Sequence, residues 1–280
     1  MLKHQQVLLK LEHTLDLEST LLAGQCFSWV MQPDKSWSGS CQGRPTTLSL
    51  LEDQLLDVRG ASREEISSFF TLDLNHDEIR SNLPDDPHLH LSYQSFPGLR
   101  LIQDSVWECM GNFICSSLKQ VSQISKLNRC LSKEVATSHL IHYPRPEEIC
   151  SAGEARLREC GLGYRAKFLY RVACEISEGR WHWDNIHQLS TEDAIEHLCQ
   201  LPGIGPKIAN CILLYSFRRF DAFPIDVWMS RILHQLYFSK RKKCPSFDEL
   251  NTFAKNHFGP WRGHAQLFLF HGFRSGRLSS

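Results

Sequence analysis

Residues 201–232, LPGIGPKIANCILLYSFRRFDAFPIDVWMSRI, hold two closely spaced glycines, a proline opening an apolar run, and a Pro-Ile-Asp turn. That order confines the segment to helices joined by tight turns. Gly203 and Gly205 lack a Cβ, so their turn can reach positive φ and let a phosphate approach the backbone. Pro206 supplies the fixed φ that suits a first helical position. The first amides of the next helix then face outward without partners, and with the positive end of the helix dipole they form an anion site. A Pro-Gly-x-Gly turn alone is more often an ordinary loop, so its neighbours decide.

Lys207 falls in the first turn of that helix, ahead of Ile208, Ala209, Cys211, Ile212, Leu213 and Leu214. The dipole and the apolar run both disfavour its ammonium form. An amine so poised can be a nucleophile that forms a Schiff base. The plainer alternative is a solvated lysine near a phosphate. Asp226 follows 19 residues later (226 − 207 = 19), about enough for one helix and a short loop to return its carboxylate to the same pocket. Pro224 stiffens that loop. Asp is also a preferred N-cap, here for residues 227–237. Both roles are expected together, because a capping carboxylate is rigid and an electrostatic or acid/base group needs rigidity.

A chain of 280 residues with 42% hydrophobic content can bury a substantial core in one large or two modest domains. No apolar run approaches the roughly 18 residues of a membrane span, and residues 1–11 lack the layout of a secretory signal. The expectation is a soluble monomer without a membrane partner, cytoplasmic and nucleoid-associated in a bacterium or nuclear in a eukaryote. Eleven cysteines are spread singly, with no CxxC pair. That spacing argues against a disulfide scaffold, a metal site and an iron–sulfur cluster, and leaves the thiols as small buried hydrophobes. No metal or cofactor is expected. Lysine plus arginine and aspartate plus glutamate both number 31, a net charge of zero. Any attraction for phosphate must therefore be local, from Arg218, Arg219 and the 240–243 run, with acidic residues collecting at 73–86.

From residue 7 to about 59, short β-like runs (7–20, 26–31, 36–51 and 54–60) alternate with turn residues and read as an antiparallel sheet. Apolar periodicity then becomes helical at 64–70, 105–115, 121–131, 155–157, 166–177, 191–198 and 207–217. Residues 83–98, with prolines and histidines, form the least regular connection. The fold class is α+β, a small N-terminal antiparallel sheet domain packed on a larger helical one.

LPGIGPKIANCI followed by FPIDVWMSRI resembles the helix-hairpin-helix, Gly/Pro, Asp signature of base-excision DNA glycosylases. GQCFSW at 24–29, RLIQDSVWECMGNFICSS at 100–117, GLGYRAKFL at 161–169 and HAQLFLF at 264–270 narrow the resemblance. These blocks, in order across nearly the whole chain, are similar to the 8-oxoguanine DNA glycosylase/AP lyase family. The resemblance implies a β-rich N-terminal domain over 1–82 and a helix-hairpin-helix glycosylase domain over 83–280. It further implies a bifunctional enzyme that flips 8-oxoguanine out of duplex DNA, excises it through a lysine Schiff base and nicks by β-elimination.

The family's site residues carry over position by position. Lys207 and Asp226 are implied to be catalytic. Gly24 matches the residue whose carbonyl accepts the extra N7 hydrogen of the oxidised base; Cys211 and Phe270 match the two that stack on its faces, and Gln266 the one that reads its Watson–Crick edge. Tyr164 matches the wedge and Arg165 the arginine that hydrogen-bonds the orphaned cytosine. Gly203 and Gly205 match the phosphate-binding hairpin, and Trp228 stands where many members have a histidine. Leu118 and Gln123 replace an asparagine and an arginine of the animal members, which implies relaxed discrimination of the opposite base. The alternatives are a non-catalytic helix-hairpin-helix DNA-binding module and a superfamily glycosylase for another damaged base.

Overall fold

The alternating apolar residues near the N-terminus build one face of a sheet. The computed structural model describes residues 6–137 and 142–278, so residues 1–5, 138–141 and 279–280 of the two expected domains lie outside them. Strands β1 (Gln6–Lys10), β2 (Val30–Met31), β3 (Trp37–Cys41), β4 (Arg44–Leu51) and β5 (Leu55–Arg59) pair antiparallel in the order β1-β5-β4-β3-β2. Register places Val58 opposite both Val7 and Leu48. Leu48, Leu56 and Val58 are fully buried on one face, against Ile66, Phe69 and Phe70 of the following segment.

The helices are α1 (Leu17–Leu22), α2 (Arg63–Phe69), α3 (His76–Ser81), α4 (Pro87–Ser95), α5 (Val106–Ser116), α6 (Val121–Glu134) and α7 (Pro146–Glu159). They continue with α8 (Arg165–Ser177), α9 (Thr191–Leu198), α10 (Pro206–Ser216), α11 (Val227–Tyr237), α12 (Phe247–Phe258) and α13 (Arg262–Arg274). The expected small antiparallel sheet on a larger helical body is therefore observed. Among the described residues no helix is long and apolar enough to cross a membrane.

Three local readings need correction. The β-like run 7–20 is strand only in β1; Asp16 then accepts from the Ser19 amide at 2.9 Å and starts α1. The segment 83–98 contains α4, because Asp86 accepts from the His88 and Leu89 amides and Pro87 fills the first position. It escapes periodicity analysis because α4 buries only Leu89, Ser92 and Tyr93. Helix α7 runs well beyond 155–157, and a break at Gly153 (φ 76°, ψ 162°) divides its apolar pattern.

The thiols also differ from expectation at one pair. Cys150 of α7 and Cys174 of α8 form a disulfide with Cα atoms 5.3 Å apart. They are 24 residues apart in sequence, and only the side-by-side packing of α7 and α8 brings them together. Most other described cysteines are buried, as expected.

An extended bridge, residues 99–104, holds the sheet to the helices. The Gln103 side chain donates to the Leu214 carbonyl of α10 at 2.8 Å, and its amide donates to Phe69. Gln25 donates to the Thr20 and Arg100 carbonyls at 3.0 and 2.8 Å while its oxygen accepts from the Ile102 amide. These buried bonds fix the 23–29 segment, and so Gly24, against the helical body.

Candidate active site

Helix α10 is buried along Ile208–Tyr215, so it is a core helix whose two ends alone reach other environments. Its N-terminal hairpin depends on Gly203, at φ +84°, where a Cβ would lie 2.6 Å from the Phe168 Cγ. Gly205 is different. It is extended (φ −106°, ψ −180°), a conformation open to any residue, so the expectation of positive φ holds for Gly203 alone. A Cβ on Gly205 would meet nothing within 4 Å, which leaves that side of the hairpin open to an approaching group. Pro206 opens the helix, as its fixed φ requires.

Lys207 projects from this first turn into a cavity of about 410 Å³, whose wall also includes Cys211 one turn later. The Lys207 Nζ lies 3.3 Å from Ser116 Oγ and 5.1 Å from the centre of the Phe113 ring. Asp226 enters the same cavity from the start of α11, where its Oδ1 accepts from the Met229 amide at 2.8 Å. The Asp226 carboxylate is thus a helix cap and a cavity wall together. Two helix N-termini, those of α10 and α11, converge on one space.

The opposite wall comes from α13 and the sheet-side segment. Gln266 is buried, and its Oε1 accepts from the Tyr215 hydroxyl at 3.3 Å, which sets the amide's orientation. Phe270, one turn further, lines the cavity with Gly24. At Gly24, φ is +86° and a Cβ would stand 3.2 Å from Arg274 Nη1 and Val121 Cγ2 and 3.7 Å from Phe270 Cε1. A bare backbone therefore fits edge-on beside the ring. Burial pushes the Cys211 thiol up to about 11, with the Lys207 charge pulling the other way, so Cys211 is neutral at pH 7 and presents a polarisable apolar surface. Trp228, 56% exposed, forms the rim with Arg231 5.7 Å from its ring.

Seven of the residues singled out from sequence thus share one cavity: Gly24, Lys207, Cys211, Asp226, Trp228, Gln266 and Phe270. Tyr164, Arg165, Gly203 and Gly205 do not line it. Tyr164, half exposed at the start of α8, sits edge-on to Phe168, the ring that covers Gly203. Arg165 lies 4.4 Å beneath the Tyr164 ring and donates from Nε to the Ser117 carbonyl at 3.0 Å. Beside it, Leu118 is 91% exposed with φ +56°. The Gln123 side chain accepts from the Gln120 amide at 3.0 Å and helps cap α6.

Sequence reasoning missed Ser116, Phe113 and Arg274 as parts of the cavity wall. The FICSS block marked the region, yet a serine or phenylalanine at a helix end carries no pattern of its own. The expected local basic charge is also partly consumed. Arg218 pairs with Asp73 at 2.5 Å, and Arg219 donates to the carbonyls of Ile186, His187 and Leu189.

Comparison with known proteins places this geometry. The model of the 8-oxoguanine DNA glycosylase N-terminal domain matches residues 7–110, and that of the HhH-GPD superfamily of base excision DNA repair proteins matches residues 112–255. A "Probable N-glycosylase/DNA lyase" of Methanothermobacter thermautotrophicus is 30% identical over 243 residues, covering 77% of this chain and 76% of the relative. The chain belongs to the 8-oxoguanine DNA glycosylase/AP lyase family. An N-glycosylase/DNA lyase of Saccharomyces cerevisiae is 28% identical, with 91% of this chain and 82% of the relative covered. The Clostridium acetobutylicum 8-oxoguanine glycosylase/lyase, solved with double-stranded DNA containing cytosine opposite 8-oxoG, superposes with a TM-score of 0.88 at 25% identity, over 99% of this chain and 97% of that one. The two family matches meet within α5, whose last turn faces Lys207, so the glycosylase cavity draws its walls from both.

Proposed function

We propose that this protein is a bifunctional DNA glycosylase/AP lyase that excises 8-oxoguanine from duplex DNA and then cleaves the strand by β-elimination. The observation that carries the reading is Lys207 Nζ, at the mouth of a buried helix, facing a cavity large enough for a flipped base. The base lies between Cys211 and Phe270, with Gln266 at its Watson–Crick edge and the Gly24 carbonyl at its N7 hydrogen. Neutral Lys207 adds to C1′, the glycosidic bond breaks, and the base leaves with the bonding pair and takes up a proton. The adduct loses one N–H proton, the nitrogen lone pair forms C1′=N as the C1′–O4′ bond breaks and O4′ takes up a proton, and the protonated Schiff base then loses a C2′ proton and the 3′ phosphate. Asp226 stabilises the oxocarbenium-like sugar as positive charge develops at C1′.

The open hairpin at Gly203 and Gly205 holds a phosphate, Trp228 packs along the backbone beside the lesion, and Tyr164 wedges the gap. Arg165 is the remaining contact to the orphaned base, but its buried guanidinium is bonded to the Ser117 carbonyl and must give up part of that bonding to reach the base, so recognition of that base is relaxed. The enzyme acts as a monomer, on the nucleoid in a bacterial cell or in the nucleus of a eukaryotic one.

Incubation of 8-oxoguanine duplex with borohydride tests this reading. Wild-type enzyme should form a covalent adduct, and Lys207→Gln should bind lesion DNA yet lose both excision and trapping. An adduct retained in Lys207→Gln would assign the nucleophile to another amine.

A further inference from the structure

The Lys207 amine is held by a cradle on α5. Ser116 is buried, and its Oγ lies 2.7 Å from the Phe113 carbonyl oxygen. A carbonyl can only accept, so the serine hydroxyl donates there and its proton is committed within its own helix. What remains on Oγ is its lone pairs, 3.3 Å from Lys207 Nζ. With its own proton committed, Oγ can only accept here, so the lysine nitrogen donates. The Phe113 ring, one turn earlier on the same helix, presents its face to the same nitrogen at 5.1 Å. Both groups belong to the last turn of α5, so a single helix end holds the amine.

The cradle is itself clamped. Arg165 of α8 donates from both Nε and Nη2 to the carbonyl of Ser117, the next residue. That ties the end of α5 to a helix 48 positions away, immediately before the chain turns sharply at Leu118. The serine is therefore fixed from two sides, which suits a group that aims another.

Resting on the lysine mechanism above, we propose that Ser116 is a positioning residue for the nucleophile: by accepting one N–H of Lys207 it directs the amine's lone pair toward C1′. Ser116 takes no part in reading the base. It therefore acts equally in base excision and in attack on a preformed abasic sugar, since both begin with the same amine reaching the same carbon.

Three variants on three duplexes test this, one duplex carrying 8-oxoguanine, one an abasic site and one a 2′-fluorinated lesion nucleotide. Ser116→Ala, which keeps the helix, should slow single-turnover excision and borohydride trapping at the abasic site by the same factor, about tenfold or more. Affinity for a duplex whose 2′-fluorine blocks glycosidic cleavage should stay within about twofold of wild type. Ser116→Thr keeps the hydroxyl but adds a methyl to a buried site, so it should recover most of the rate. Lys207→Gln gives the background. Normal rates in Ser116→Ala overturn the proposal, as does loss of excision with normal abasic trapping, which would mean that Ser116 acts on the base and not on the amine. Ser116→Thr slower than Ser116→Ala overturns it as well, since packing alone would then explain the site. Wild-type enzyme that forms no adduct on either duplex refutes the lysine mechanism and this proposal together, whereas the other three results leave the mechanism standing.

Discussion

Replacing Asp226 separates the two functions that the structure assigns to one carboxylate. Its Oδ1 caps α11 through the Met229 amide at 2.8 Å, and the same side chain borders the cavity that holds Lys207. Asparagine caps a helix about as well as aspartate, so Asp226→Asn keeps the hydrogen bond and loses only the charge–dipole attraction, about 0.3–1 kcal/mol. Alanine loses the cap as well, a further 0.5–2 kcal/mol or so. At this chain length about 1 kcal/mol corresponds to roughly 2–4 °C in Tm. The expected order in a thermal melt is wild type, then Asp226→Asn lower by at most about 4 °C, then Asp226→Ala lower still. Catalysis should not follow that order. Removal of a group aimed at developing charge costs about 10²–10³-fold in rate, and both variants lack the charge. Single-turnover excision should therefore fall by at least about a hundredfold in Asp226→Asn despite its near-normal melt. A large loss of stability in Asp226→Asn together with normal turnover of its folded fraction would refute the reasoning and leave Asp226 a structural cap.

Excision opposite cytosine, adenine, guanine and thymine should span a narrow range, because Leu118 cannot donate and the Gln123 oxygen is engaged by α6. Each missing contact is worth about 1–3 kcal/mol, and a preference for cytosine beyond about a thousandfold in single-turnover rate would contradict this. Gly203→Ala places a Cβ against Phe168 at a φ of +84°, so it should lower stability by more than the roughly 1–2 kcal/mol of the backbone alone and weaken binding to undamaged duplex; an unchanged melt would show that the hairpin can relax. His264, buried with neither nitrogen hydrogen-bonded, is lowered to about 3 from 6.5, mainly by burial. The unfolded chain then binds more protons below about pH 6.5, so this share of stability is present above that pH and lost as pH falls toward 3. His264→Leu should gain about 2 kcal/mol relative to wild type between pH 8 and pH 5 by denaturant titration, and a pH-independent difference would remove His264 from the acid response.

Much of the fold was legible because its signals are local. The helices at 121–131, 166–177 and 191–198 announce themselves through apolar spacing, and each observed helix contains the interval read for it. Capping chemistry is equally local: the Ser62 and Glu65 reciprocal cap of α2 lies within four residues. Where periodicity is weak, as in α4, or interrupted, as at Gly153 in α7, the reading shortened or missed the helix. The Lys207 and Asp226 pairing was legible because one helix and a turn separate them.

By itself the sequence determined the order of sheet and helices, the hairpin ahead of α10 and the capping aspartate of α11, since backbone sterics and capping act within a few residues. Only the tertiary structure decided that Gly24, from beside the sheet, meets Phe270 and Val121. It likewise decided that Arg218 and Arg219 are taken up by internal partners, that Cys150 and Cys174 are joined, and that Ser116 faces the Lys207 amine. The reason is physical: a side chain's conformation is limited by its neighbours in sequence, but its partner is whatever packing brings within about 3 Å. Such distances are set by the whole core, and no short stretch of residues encodes them.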